Sequence, residues 1–142
     1  MQVAAGVASI VIGLVGFGGQ LISVLDWPLA QRLGLQESQD HTDTLCRRLE
    51  RNTAIWDLCS WWTLPVAGAL MVTGHPWWPV VALLAGGVYM DTAGREWAKL
   101  SGLGSENVKT GEPKDARRRG AFFIVTAAIA VWAVVLAVME IV

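Results

Sequence analysis

The chain has 142 residues, 54% of them hydrophobic and only 16% charged, with eight Trp, a net charge of −1 and a mean hydropathy of +0.45. Soluble domains carry about 25% charged residues, so the composition argues against an ordinary water-soluble enzyme and for one integral membrane domain over 1–142. No excess of positive charge and no separate basic domain are present, so nucleic acid is not an expected partner.

No side chain from Met1 to Leu25 is charged. A bilayer-spanning helix needs roughly 20 apolar residues, which places a first span at about 2–25. It lacks the basic start and the short core of a signal peptide and is expected to be retained. Four glycines crowd into Gly13–Gln20, GLVGFGGQ. A phosphate loop would need a strand before it, a helix after it and solvent around its N–H groups, whereas these glycines lie inside the apolar run. Ala5, Ser9, Gly13, Gly16, Gln20, Ser23 and Trp27 recur at steps of four and three, which puts small and polar side chains on one face. In lipid such a face packs against a neighbouring helix, because small side chains let backbones approach and a Gln can hydrogen-bond across the contact.

The next segment, about 26–55, is basic and ends in DTLCRRLERNTAIWDLC. Leu45, Leu49, Trp56 and Cys59 keep helical spacing there while Arg47, Arg48, Glu50 and Arg51 lie elsewhere. Two readings stay open: an amphipathic helix lying on anionic headgroups, or an extension of the second span. His41, Asp43 and Cys46 are close in sequence but form a poor metal set, and His75 falls on the opposite side of the membrane, so no metal site is expected. Cys46 and Cys59 are thirteen residues apart, about 20 Å along a helix and beyond disulfide reach. Both are expected to be small, buried and structural.

Two further spans, about 56–74 and 77–97, are separated by HPWWP at 75–79, whose two prolines interrupt the helix. The deepest charges in these spans are Asp57 and Asp91, the latter four residues before Arg95 and so able to pair with it. Charge inside a membrane is costly and marks candidate function. Asp57, Asp91, Arg95 and Glu96 are therefore read as a polar floor beneath a cavity, with the deep Trp61 and Trp62 as its apolar walls. Ala82, Gly86, Tyr89, Ala93 and Glu96 share one face of the third span, a second packing seam.

The connection at about 98–118, GLGSENVKTGEPKDARRRG at its core, reads as a flexible loop closing on Arg117, Arg118 and Arg119, which are expected to touch lipid phosphate. A fourth span follows at about 119–140, with Ala130, Ala133 and Ala137 on its packing face. All eleven Lys and Arg lie in or beside the two long connections. By the positive-inside rule both connections are cytoplasmic and both termini lie outside the cytoplasm, as for a multi-pass protein of the cell membrane. Trp27, Trp56 and Trp97 at the inner boundary and Trp77 and Trp78 at the outer turn fit an aromatic belt.

The expected fold is all-α, an antiparallel bundle of four transmembrane helices. Residues 18–35 and 86–103 align without gaps through a Gly pair, an Ala and a closing Gly-Leu, which raises a duplication into two tandem helix hairpins. No Ser or Thr has a His at matching depth, so no catalytic residue is assigned, and no residue pattern names a cofactor.

The order GLVGFGG into LAQRLGL, then Asp57 followed by LPVAGALMVTG, resembles the first half of DoxX-like four-helix membrane proteins. That resemblance implies association with quinone-linked redox chemistry in some members. Gln20 stands where a basic residue would follow the first glycines in that pattern. The expected function is a small non-catalytic membrane protein, a homo-oligomer, binding a lipid-like or quinone-like molecule or a membrane-protein partner. An oligomeric channel or transporter and a redox accessory subunit are the alternatives.

Overall fold

A computed structural model describes residues 1–37 and 42–142, the side chains of Pro113, Asp115 and Ala116 excepted. Among the described residues the chain is helical and has no strand. The first helix, α1 (Gln2–Leu25), stops at Asp26, whose carboxylate accepts the Leu29 N–H at 3.0 Å and caps the short α2 (Trp27–Arg32). Pro28 sits in the first turn of α2, where its missing N–H costs nothing. Asp43 caps α3 (Thr44–Ser60) in the same way, accepting from Leu45 N–H at 2.8 Å.

A turn at Trp61 and Trp62 separates α3 from α4 (Thr63–Thr73). Pro65 explains it: a proline has no N–H for the carbonyl four residues back, here that of Trp61. The Tyr89 hydroxyl donates to that freed carbonyl at 2.8 Å, so the break is satisfied from another helix. Gly74, at φ 65°, closes α4 in the left-handed conformation that suits glycine. The turn expected at HPWWP follows directly, and α5 (Trp78–Ser105) begins with Pro79 in its first turn. The last helix is α6 (Pro113–Ile141).

Among the described residues three helical stretches are long and apolar enough to cross a bilayer: Gln2–Leu25, Thr44–Thr73 and Arg117–Ile141. The first half of α5, from Trp78 to Met90, has no charged side chain, while its second half carries Asp91, Arg95, Glu96 and Lys99. Successive long helices run antiparallel. Gly6 of α1 lies against Gly68, Met71 and Val72 of α4, Gly13 against Pro65, and Gly16 against Trp61. The second face of α1 meets α6, and α5 is held between α4 and α6, so the long helices close a ring. Its core is built largely of alanine: Ala5, Ala67, Ala82, Ala85, Ala130, Ala133 and Ala137 are all fully buried, with Leu64, Met71 and Trp61.

Several sequence expectations change here. The segment before the second span is helical and joins it through α3, and its apolar stripe faces outward: Leu45, Leu49 and Trp56 are exposed, and so is Cys59, which is therefore not a buried thiol. The inward face is Cys46, Ala54, Asp57 and Trp61. The presumed flexible connection is mostly helix, α5 reaching Ser105 and α6 starting at Pro113. Residues 18–35 break at Asp26, whereas 86–103 are one unbroken helix, so the two aligned stretches do not share a conformation. His41, named in the weak metal set, lies outside the described residues.

Candidate functional site

At the end of the ring away from the His75 turn, the helices leave between them a partly open cavity of about 210 Å³. Its apolar wall is aromatic. Trp61 lies nearly parallel to Phe122, ring centroids 6.3 Å apart, and edge-on to Phe123 at 6.5 Å. Gly16 and Gly19 of α1 form the facing wall. The polar floor comes from Gln20 and Ser23 of α1, Glu50, Thr53 and Asp57 of α3, and Glu96 of α5.

Asp57 is 1% exposed and fully engaged. Its Oδ1 accepts from Arg95 Nη2 at 3.0 Å and its Oδ2 from Gln20 Nε2 at 3.3 Å. Arg95 reaches back with Nε to Asp91 at 2.9 Å and donates through Nη2 to Thr92 Oγ1 at 3.3 Å. The same Thr92 hydroxyl oxygen accepts Trp61 Nε1–H at 3.2 Å, so the aromatic wall is oriented by the helix that holds the ion pair. A buried carboxylate survives only when paired and hydrogen-bonded, and Asp57 meets both conditions.

A second ion cluster joins two of the floor carboxylates. Lys99 Nζ donates to Glu96 at 2.6 Å and to Glu50 at 2.9 Å, with all three side chains largely buried. Burial alone would lower the Lys99 pKa, but the flanking Glu50 and Glu96 outweigh it and hold the ammonium above its ordinary 10.5.

Residues 34–36 complete the cavity wall as a strap between α2 and the segment leading to α3. Arg118 donates to the Gly34 and Leu33 carbonyls, and Arg119 pairs with Glu37 at 3.1 Å while donating to the Thr110 carbonyl at 2.9 Å. Gln36 Nε2 ties the strap to Ser23 Oγ at 3.1 Å. Two glycines with positive φ seat these groups: Gly34 (67°) leaves space for the Arg118 guanidinium and Gly111 (112°) for the Glu37 carboxylate.

The structure thus brings Asp57, Trp61 and Glu96 to one cavity, with Arg95 behind Asp57. Asp91 is 62% exposed and lies on the far side of Arg95, beside a shallow groove under Trp56, Leu83 and Leu84. Trp62 is also turned outward, its Nε1–H on the Cys59 carbonyl. Among the seam residues, Ser9, Gly13, Gly16 and Gly86 are buried between helices, Gly86 against Val134, while Gln20 lines the cavity. Arg117 and Arg118 are exposed and Arg119 is half-buried, and Arg118 and Arg119 hold the strap. Sequence reading missed Gly19, Glu50, Lys99, Glu37, Phe122 and Phe123. Only the three-residue spacing of Glu96 and Lys99 offered a local signal; Glu50 meets Lys99 from 49 positions away.

Among the described residues no three His, Cys, Asp or Glu side chains are grouped to hold a metal ion. No family model matches the chain, and neither a curated protein nor a solved structure matches it.

Proposed function

We propose that the chain is a four-span protein of the cell membrane that holds a lipid-like or quinone-like amphipath in the cavity between α1, α3, α5 and α6. The fourth span in this reading is α5, which would cross with its apolar half and place Asp91 to Lys99 at the cytoplasmic boundary. The basic connections would then face the cytoplasm and both termini the outside. One observation carries the binding reading: an aromatic wall and a floor of buried, paired polar groups face each other across about 210 Å³ of space, the layout of a small-molecule pocket. The outward Trp56, beside Leu83 and Leu84, supports contact with lipid at the cytoplasmic boundary, and the exposed Arg117 remains the candidate for lipid phosphate.

Native mass spectrometry of detergent-purified protein, followed by extraction, tests the reading. A defined oligomer carrying one small amphipath per chain is the expected result. Protein that carries nothing and takes up nothing after reconstitution in lipid overturns it. Accessibility of reporters fused to each terminus tests the orientation, and a signal from the cytoplasmic side at either terminus contradicts it.

A further inference from the structure

The cavity limits the shape of what it can hold. We infer that its ligand inserts a single flat ring between the Trp61–Phe122 edge and the glycine face of α1 at Gly19, and that acyl chains are excluded. This rests on the binding reading above.

Size is the first argument. A cavity of about 150 Å³ accepts one benzene ring, so 210 Å³ takes a ring with a few substituents whole, whereas an extended chain would leave most of its length outside the slot. The walls give the second. At Gly16 the backbone of α1 is already closed on Trp61, since a Cβ there would come within 2.7 Å of the indole. One turn further on, a Cβ at Gly19 would meet only Leu35 Cδ2, at 3.7 Å. The space that opens between these two glycines is a slot faced by aromatic rings, whose preferred partners are other rings in offset or tilted contact. The substituent end of the ring meets Gln20 and Asp57.

The test uses the full chain, delipidated and returned to nanodiscs. Saturable binding of 4-methylphenol and of 1-decanol is followed by saturation-transfer NMR on wild type, Gly19→Val and Gly18→Val. A Cβ at 19 would meet only Leu35 Cδ2, at van der Waals distance, so valine there extends its methyls into the slot, whereas Gly18 has no heavy atom within 4 Å of its Cβ position and does not line the cavity. Helicity and thermal midpoint confirm that each variant folds. The expected result is saturable binding of the phenol alone, weakened at least tenfold by Gly19→Val and unchanged by Gly18→Val. Phenol binding that ignores Gly19→Val puts the ring elsewhere and overturns the inference. Saturable decanol binding blocked by Gly19→Val, with or without the phenol, also overturns it and leaves the binding reading standing. If neither probe binds saturably, both fall.

Discussion

Near the His75 turn the helices meet backbone to backbone: Gly6 against Gly68, Gly13 against Pro65, and the alanines of α5 and α6 against each other. At the opposite end they meet through long side chains, Trp61, Phe122, Arg95, Lys99 and Arg119. Small residues let axes approach until no space remains. Large and charged residues hold axes apart, and the volume they fail to fill becomes the cavity. One end is therefore a clamp and the other a receptacle, and the paired carboxylates occur where close packing does not.

The largest effect is expected at the clamp. A Cβ at Gly68 would lie 2.5 Å from the Gly6 carbonyl and 2.9 Å from the Ile10 N, both backbone atoms that cannot turn aside. Gly68→Val should therefore cost about 3 kcal/mol or more by overpacking, read as a large fall in thermal midpoint in detergent. Gly87→Val, with nothing within 4 Å, should stay within about 0.5 kcal/mol of wild type. Equal losses at the two positions would erase the distinction between a clamped and an open glycine.

At the receptacle, Arg95→Met leaves the buried Asp57 carboxylate without its cation. Removing one partner of a fully buried pair costs about 3–5 kcal/mol; Arg95 is itself 36% exposed, so about 2 kcal/mol is expected. The double variant with Asp57→Asn should recover part of that loss. A double variant as unstable as the sum of the single ones would show that the pair does not couple.

The strap should respond locally. Arg119→Met removes its pairing with Glu37 and should raise hydrogen exchange at Leu35 and Gln36 about tenfold, equivalent to about 1.4 kcal/mol of local opening, with little change in the thermal midpoint. Uniform exchange along α1 and α6 instead would make Arg119 part of the global core.

The smallest effect is pH-dependent. Lys99 has a pKa raised in the folded protein above its ordinary 10.5. It therefore contributes stability that is fully present below pH 10.5 and is lost as pH rises through the folded value. The thermal midpoint should fall across that alkaline window in wild type and fall less in Lys99→Met. Parallel curves would assign the alkaline loss to other groups.

Helical, apolar character, the turn at HPWWP, and the small-residue faces of α1, α5 and α6 can be read from the chain alone. These depend on composition and on spacing within one helix, where three and four residues always meet. Asp91 and Arg95 were legible as a pair for the same reason. Tertiary structure decided that Asp57 is the partner that matters, through Gln20 and Arg95, which lie 37 and 38 positions away. It also decided which face of α3 turns inward. Periodicity shows that Leu45, Leu49 and Trp56 lie on one side of α3, and it is silent on which side turns in. Cys46, Ala54 and Asp57 face the bundle because small side chains permit approach and a carboxylate needs its partners. The cavity lies at the loop end because only there do the packed side chains keep the helices apart.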